Sequence, residues 1–311
     1  MLKTIFHTMN ENVLSRFLLA VIFSVGLLSS ILSPVNSHAN EMPMFGFPQT
    51  SDHALQSLLD KSVEDRSLNR LVKSKKLSIT LLDITDINNP KLAHINGQDT
   101  LYAASLPKLG ILLSVFEEVH QGNIPMTDEL YNSLENMIKN SSNSDATKMY
   151  ELVGAERIAE ILRSDRYKFY EKETGGGLWV GKPYAKDAVW KRDPLKNVSH
   201  GASGLQTARF YYLLERNELT DPSYCPIMKD ILADSNINHK FVKGLKTRQP
   251  EAEIYRKSGT WRDYHSDSAL IERDDGVTYI AVALSQDANG GKLLENVIVD
   301  LDKIMDTFHA S

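Results

Sequence analysis

The chain has 311 residues, of which 42% are hydrophobic and 24% are charged, as in a soluble globular protein with a sizeable core. Its formal net charge of -5 gives no indication of a nucleic-acid partner. The single cysteine, Cys225, excludes an internal disulfide. Because no activating residue stands near it in the sequence, we interpret it as a buried structural thiol rather than a nucleophile.

The N-terminal segment has the features of a secretory signal peptide. Lys3 and Arg16 precede the apolar run FLLAVIFSVGLLSSIL, and Ser37 and Ala39 are small residues at the positions typical of a cleavage site. We therefore expect cleavage after Ala39. An uncleaved single-span anchor is the alternative, although the run is rather short for a span.

Cleavage would remove residues 1–39 and leave residues 40–311 as the mature domain. The mature protein is then expected to be periplasmic or extracellular. We also expect it to be monomeric and to have no membrane span.

The first third of the chain predicts one helix and two strands. The helix covers residues 51–73, and the stretch KLSITLLDITD after it alternates and is rich in Ile, Leu and Thr, as in a strand. The turn INNPK separates it from a second strand, LAHINGQDTLYAAS, which ends at Ser105. From Leu106 onward the apolar residues follow a helical period.

The middle of the chain is predicted to be helical, and its last part to return to strands. Helical spacing covers MTDELYNSLENMIKN, SNSDATKMYELVG, GAERIAEILRS and ASGLQTARFYYLLERNEL, interrupted by a Gly-, Trp- and Lys-rich loop at about residues 170–200. Strands are predicted for AEIYRKSGTW, DYHSDSALIER and VTYIAVALSQ, and a helix for KLLENVIVDLDKIMDTF.

This order of elements predicts an α/β fold of the α+β kind. Because strands at the two ends of a chain can share one sheet, we expect an antiparallel sheet of about five strands flanked by N- and C-terminal helices. The α/β part would comprise about residues 50–104 and 240–311, with an all-helical part, about residues 105–239, inserted between them. An active site would fall at the seam between the two parts.

Ser105 and Lys108 are the first candidates for chemistry. Residues three apart on a helix are neighbours, so the two side chains are expected within hydrogen-bonding reach. Ser105 would lie at the helix start, where free backbone N–H groups favour developing negative charge. Lys108 could take the serine proton if burial or a second cation lowered its pKa. The alternative is a capped helix with a lysine that extends to solvent.

Two later stretches strengthen that interpretation. Ser141 and Asn143 stand two apart at a helix start, where a hydroxyl and an amide can point into one cleft, and an ordinary N-cap cluster is the alternative. Lys257, Ser258 and Gly259 lie on a predicted strand, where the glycine leaves room for a ligand to approach the backbone. The alternative there is an edge-strand glycine with solvated neighbours.

Together and in this order, the three stretches resemble the motifs of the penicillin-recognising serine enzymes, the class A β-lactamases and D,D-peptidases. The resemblance extends over about residues 50–308 and implies the β-lactamase/transpeptidase-like fold. Ser141 fits the second motif better than Ser144, because the family places a glycine thirteen residues later and Gly154 has that spacing.

The resemblance implies a catalytic role for four residues. Ser105 would be the acylated nucleophile, and Lys108 the group that accepts its proton. Ser141 would pass a proton to the leaving nitrogen. The backbone N–H groups of Ser105 and Thr260 would form the oxyanion hole.

The resemblance also implies how a substrate is held. Asn143 would bind the carbonyl of the substrate side chain. Lys257 and Ser258 would bind the substrate carboxylate, beside the open space left by Gly259. No metal and no cofactor is implied.

The sequence departs from the family at three points. Ser142 replaces the aspartate of the second motif and cannot supply its charge. The interval from Ser105 to Ser141 is shorter than in typical class A enzymes, so part of the helical lobe beside the cleft would be missing. The string Glu-x-x-Leu-Asn, whose glutamate activates the deacylating water in class A enzymes, is absent.

Three other acids in the same loop are candidates for that base. Asp193 in the string RDPLKN comes nearest to the family string, and Glu171 and Glu173 are further possibilities. For each of them the alternative is a solvated loop acid. His200 could contact the site, or it could simply order the loop.

The expected function is therefore a serine hydrolase that acts through an acyl-enzyme, in the first place a β-lactamase of the class A type. A D,D-peptidase-like hydrolase of cell-wall peptides with slow deacylation is the second expectation. A non-catalytic peptidoglycan-binding relative is the third. The expected ligand is a small β-lactam or a peptidoglycan-type peptide.

Overall fold

The computed structural model describes residues 46–186 and 188–310, so the predicted signal segment lies outside the described residues. The helices are α1 (His53–Asp65), α2 (Asn69–Lys73), α3 (Lys108–His120), α4 (Asp128–Lys139), α5 (Asn143–Val153), α6 (Ala155–Arg163), α7 (Gly204–Glu215), α8 (Cys225–Leu232), α9 (Phe241–Leu245) and α10 (Gly290–His309). The strands are β1 (Leu77–Asp83), β2 (Lys91–Ile95), β3 (Leu101–Tyr102), β4 (Tyr170–Glu171), β5 (Gly176–Gly177), β6 (Trp179–Val180), β7 (His200–Ala202), β8 (Glu253–Trp261), β9 (Tyr264–Glu272) and β10 (Thr278–Gln286).

Five of these strands form one antiparallel sheet in the order β2-β1-β10-β9-β8. The sheet joins the two ends of the chain, because β1 pairs with β10 from Leu77 opposite Ser285 to Asp83 opposite Tyr279. The predicted α+β class and the sheet of about five strands are thus confirmed. β8 lies at the edge of the sheet, next to the helical part.

Helices cover both faces of this sheet. On one face, α1 packs against α10, and its residues Leu55, Leu59 and Val63 recur at helical spacing and are buried. The carboxylate of Asp52 caps α1 by accepting hydrogen bonds from the backbone of Ala54 and Leu55 at 3.0 Å. On the other face, α7 packs against β1 and β10 and belongs to the core shared with the helical part.

The middle of the chain was expected to be all-helical, but it also contributes to two small sheets, β3-β7-β6 and β4-β5. The predicted strand at residues 92–105 is divided between two sheets. β2 ends at Ile95 because Asn96 adopts a left-handed φ of 50°. The chain then enters β3, which pairs with β7 from Leu101 opposite Ala202. The division of the domain at residues 105 and 240 remains a prediction.

Smaller differences have local causes. The predicted helix at residues 51–73 is interrupted after Asp65, where Ser67 has a left-handed φ of 57°. The helices α8 and α9 were not predicted, because segments of 8 and 5 residues are too short to show a helical period. Cys225 is buried with a free thiol, as expected. None of the helices in the described residues combines the length and hydropathy that a bilayer crossing requires.

Candidate active site

Ser105 lies in a turn between β3 and α3. Ala104 before it has a φ of 50°, in the left-handed region, which costs a non-glycine residue about 1–3 kcal/mol and persists only where its surroundings impose it. Ser105 itself is half-buried and lines a cleft of about 360 Å³. Within the described residues its hydroxyl has no hydrogen-bond partner, so it is available to a ligand.

The edge strand β8 packs directly against this turn at Gly259. A Cβ atom at Gly259 would lie 2.3 Å from the carbonyl oxygen of Ala103 and 2.6 Å from the backbone nitrogen of Ser105, so only glycine fits. The Ser266 hydroxyl on β9 donates to the same Ala103 carbonyl at 2.8 Å. Thr260, the next residue on β8, lines the cleft beside Ser105. This geometry is compatible with an oxyanion hole between the two backbones.

Lys108 is the first residue of α3, and its side chain is 0% exposed. Its amine donates to the Ser141 carbonyl oxygen at 2.6 Å and to Asn143 Oδ1 at 2.9 Å. Burial lowers the pKa of Lys108 from 10.5 to about 7, and the nearby Asp145 carboxylate opposes that decrease. A substantial fraction of this amine is therefore neutral near pH 7 and able to accept a proton.

The Ser105 and Lys108 side chains were expected within hydrogen-bonding reach, and the structure shows other partners for the lysine amine. Helix α3 begins at Lys108, so Ser105 lies in the preceding turn rather than on the helix itself. The lysine amine is held by the turn at residues 141–143, and its weakest contact there is to Ser141 Oγ at 3.3 Å. Within the described residues the backbone N–H of Lys108 donates to the Ser105 carbonyl at 3.3 Å, but no hydrogen bond joins the two side chains.

Ser141 links the two lysines of the site. Lys257 Nζ donates to Ser141 Oγ at 2.9 Å and to the Ser258 carbonyl at 2.9 Å. Lys257 is 2% exposed, and burial together with the Lys108 charge lowers its pKa well below 10.5. The fold therefore brings a second lysine close to Lys108, as the argument from the sequence required. Ser258 is buried and does not line the cleft.

A carboxylate lies beside Ser142, although Ser142 itself replaces the aspartate of the second motif, and it belongs to Asp145. Ser142 caps α5 and donates to Asp145 Oδ2 at 2.5 Å, while its hydroxyl accepts from the backbone of Asp145 at 3.2 Å. Asp145 thus supplies the acceptor that Ser142 lacks. The pattern Ser-x-x-Asp at a helix start is a capping box, a sequence feature that could have identified Asp145. Asn143 lines the cleft, whereas Ser144 is exposed.

Asp193 is not positioned as a base for the cleft. It is 2% exposed and accepts hydrogen bonds from the Tyr170 hydroxyl and from the backbone of Leu195 and Lys196. Both of its oxygens therefore hold a turn of the loop together. Asp193 does not line the cleft, so the partial match to the family string does not identify the base.

Glu171 and Glu173 are also outside the cleft. Glu171 belongs to β4, and Glu173 is an exposed residue of the turn between β4 and β5. The structure therefore favours the alternative for all three acids, namely a structural or solvated loop acid.

Replacing Asp193 with asparagine should destabilise the loop without slowing deacylation. The change weakens three hydrogen bonds to a buried carboxylate, and we expect a loss of about 1–3 kcal/mol in the free energy of unfolding. Urea unfolding and the decay rate of a penicillin adduct would measure the two effects. The exposed Glu173→Gln is the matched control. A decay rate that falls more than tenfold in Asp193→Asn alone would restore Asp193 as the base.

The loop between β6 and β7 forms one wall of the cleft. His200 lies at its end, with Nε2 facing the Lys182 carbonyl at 3.1 Å and Nδ1 facing the Ser199 hydroxyl at 3.2 Å. Burial lowers the pKa of His200 to about 4, so it is neutral at neutral pH and orders the loop. None of the described residues that line this cleft is a carboxylic acid; they are Tyr102, Ala104, Ser105, Asn143, Lys182, Pro183, Tyr184, Ala185, Lys186, Ser199, His200, Thr260 and Trp261.

Two residues near the site were missed by the analysis of the sequence. Tyr184 lies beside Lys108, with the lysine Nζ 4.6 Å from the centre of its ring. Lys240 is buried behind β8 and donates to the Gly259 carbonyl at 2.7 Å and to Thr260 Oγ1 at 2.8 Å. Burial lowers the pKa of Lys240 to about 8. Neither residue stands in a recognisable motif.

Within the described ranges, no group of three or more His, Cys, Asp and Glu side chains is arranged to hold a metal ion.

Comparisons with known proteins identify a family for this chain. The model of the beta-lactamase enzyme family matches residues 64–134 and 129–305. No curated protein matches the sequence.

Several solved structures share the fold. A mutant of PBP-A in an acyl-enzyme complex with penicillin-G is 16% identical, with 85% of this chain and 99% of that chain covered and a TM-score of 0.62. A class A beta-lactamase from Bacteroides cellulosilyticus is also 16% identical, with 84% and 100% covered and a TM-score of 0.60. The TLA-3 extended-spectrum beta-lactamase is 13% identical, with 83% and 99% covered and a TM-score of 0.61. At these identities the likeness establishes the fold and not the activity.

Proposed function

The chain belongs to the beta-lactamase enzyme family, and we propose that it is a serine hydrolase that forms an acyl-enzyme on Ser105 with β-lactams or related cell-wall amides. The observation that carries this proposal is the buried amine of Lys108, whose pKa of about 7 suits a base, at the start of the helix that follows the turn presenting Ser105. The free hydroxyl of Ser105 at the surface of the cleft supports it.

Acylation would proceed by proton transfer and attack. Neutral Lys108 takes the proton of the Ser105 hydroxyl, and the serine oxygen attacks the carbonyl carbon of the substrate. Negative charge then develops on the carbonyl oxygen next to the backbone N–H groups of Ser105 and Thr260. As the carbon–nitrogen bond breaks, Ser141 donates its proton to the leaving nitrogen and regains one from the lysine that was protonated in the first step.

The same residues suggest how the substrate is held. Lys257 and Ser258 lie in the middle of β8, where a cation suits a substrate carboxylate, and Thr260 further along the strand lines the cleft. Asn143 uses its Oδ1 to accept from Lys108, which leaves its NH₂ group to donate to a carbonyl of the substrate side chain.

We infer that deacylation is slow, as in a D,D-peptidase or penicillin-binding protein. A hydrolytic water needs a base, and no carboxylate among the described residues lines the cleft or accepts a hydrogen bond from Lys108. The alternative is rapid turnover as a β-lactamase of the class A type. The family of the chain and its similarity in fold to two beta-lactamases favour that alternative.

A fluorescent penicillin and a chromogenic cephalosporin would separate these functions. We expect stable labelling with the penicillin, and a burst of about one product per enzyme followed by slow turnover with the cephalosporin. Sustained fast turnover without a persistent label would support the class A alternative. No labelling at all would support a non-catalytic peptidoglycan-binding protein.

Asp187→Asn should be measured beside the parent protein, because residue 187 lies outside the described residues. We expect its turnover to equal that of the parent. A loss of turnover in this variant would identify a loop carboxylate as the base and would contradict slow, base-free deacylation.

We also propose that the protein acts outside the cytoplasm as a monomer, on small β-lactams or on peptidoglycan-type peptides. The charged and apolar pattern before Asn40 supports export.

A further inference from the structure

Tyr184 lies between the nucleophile turn and the lysine. Its hydroxyl donates to the carbonyl oxygen of Ala104 at 3.1 Å. Its ring lies over Lys108, with Nζ 4.6 Å from the ring centre. The imidazole of His200 packs on the tyrosine ring with ring centres 4.2 Å apart, so the tyrosine is held from the loop side as well.

The hydroxyl of Tyr184 completes a clamp on the turn before Ser105. On one side of this turn, Ser266 donates to the Ala103 carbonyl at 2.8 Å and Gly259 lies against the backbone of Ser105. On the other side, Tyr184 holds the next carbonyl, that of Ala104. Because Ala104 has a left-handed φ of 50°, the turn depends on such contacts to keep its shape.

The ring of Tyr184 and a group of oxygen acceptors surround the amine of Lys108. The carbonyls of Ser141 and Ser142 and the amide oxygen of Asn143 accept from Nζ. An aromatic face attracts a cation, but it also excludes water, which disfavours the charged form. Burial lowers the pKa of Lys108 to about 7, and the ring of Tyr184, 4.6 Å from Nζ, is one of the groups that bury the amine.

We propose that Tyr184 is a positioning residue for acylation, whose hydroxyl fixes the turn that presents Ser105 and whose ring shields the amine of Lys108 from solvent. This inference rests on the proposed function. The hydroxyl of Tyr184 would act on the geometry of the nucleophile. The ring would act separately, on the protonation of the base.

Other charged groups also face Lys108 and must be considered in a pH experiment. Asp145 on α5 raises the pKa of Lys108, and Lys257 on β8 shares Ser141 with it. His200 is neutral above about pH 4, and burial raises the pKa of Tyr184 well above 10. Because Lys257 also has a lowered pKa, the midpoint of the pH profile is compared between variants rather than assigned to one group.

Two substitutions separate the effects. The rate of acylation by benzylpenicillin would be measured from pH 5 to 10 on the full protein, together with thermal unfolding. Tyr184→Phe removes only the hydroxyl, and we expect acylation to slow by roughly three- to tenfold with the midpoint unchanged, as suits the loss of one hydrogen bond. Tyr184→Leu also removes the ring, and we expect the midpoint to rise by about one pH unit or more as water reaches the amine.

Two further variants serve as controls in this experiment. Tyr184→Met is a second variant without a ring, for use if the leucine variant does not fold. Tyr131→Phe, which removes a hydroxyl that donates to Asp230 on the helical part, should acylate as the parent does. A midpoint unchanged in both ringless variants, or an unchanged rate in Tyr184→Phe, would overturn the proposal. If the parent protein is not acylated at all, the proposed function fails instead.

Discussion

Replacing Ser105 with alanine should abolish covalent labelling by penicillins and reduce hydrolysis to background. Deletion of a serine nucleophile has cost about 10⁶-fold in turnover in a serine protease, and no other hydroxyl takes its place in this mechanism. The fold should be unaffected, because the Ser105 hydroxyl has no hydrogen-bond partner among the described residues. We expect a change in the free energy of unfolding within about 0.5 kcal/mol.

The measurement is intact-protein mass spectrometry after incubation with benzylpenicillin. Ser144→Ala is the matched control, because Ser144 is an exposed serine near the same cleft and should label as the parent does. Ser141→Ala should label much more slowly, since it interrupts the link between Lys108 and Lys257. Normal labelling of Ser105→Ala would mean that another residue is acylated.

Replacing Lys108 with arginine should reduce the rate of acylation by about 10²–10⁴-fold, the usual contribution of a general base. Arginine keeps the positive charge but stays protonated at every accessible pH, so it cannot accept the serine proton. Lys108→Met, which removes both charge and base, should show a loss of similar size. Stopped-flow acylation measures both variants, and Lys148→Arg on the exposed side of α5 is the control.

The pH dependence follows from the lowered pKa of Lys108. The neutral amine is the active form, so acylation by the parent protein should increase as pH rises through about 7 and then level off. An arginine variant within tenfold of the parent would show that the lysine acts by charge alone. If the acylation rate of the parent protein rises only near pH 10.5, the amine of Lys108 is solvated and its pKa is not lowered.

The motif residues could be predicted because each group of them is local in sequence. The hydroxyl of Ser105 and the amine of Lys108 are three residues apart, and Lys257 to Thr260 are contiguous on one strand. Local spacing does not fix how such groups meet. The predicted reach between the Ser105 and Lys108 side chains stays a prediction, since the amine donates to residues 141–143 in the structure.

Residues whose role depends on tertiary placement were not predictable. Tyr184 stands in an irregular loop with no hydrophobic period, and only the folded chain shows that it reaches Ala104. Lys240 lies before a helix of 5 residues and acts on a strand almost twenty positions later. For Asp193, a partial string match suggested a base, and the structure shows its carboxylate bound to the backbone of Leu195 and Lys196, which the string could not indicate.

The most direct test of the central claim is to locate the acylated residue in the parent protein. After brief incubation with benzylpenicillin and acid quenching, tryptic digestion should release the peptide LAHINGQDTLYAASLPK, which contains Ser105. We expect this peptide to carry one penicilloyl group, with fragmentation placing it on Ser105. An adduct on any other peptide, or none at pH 8 where Lys108 is largely neutral, would contradict acylation of Ser105 with Lys108 as the base.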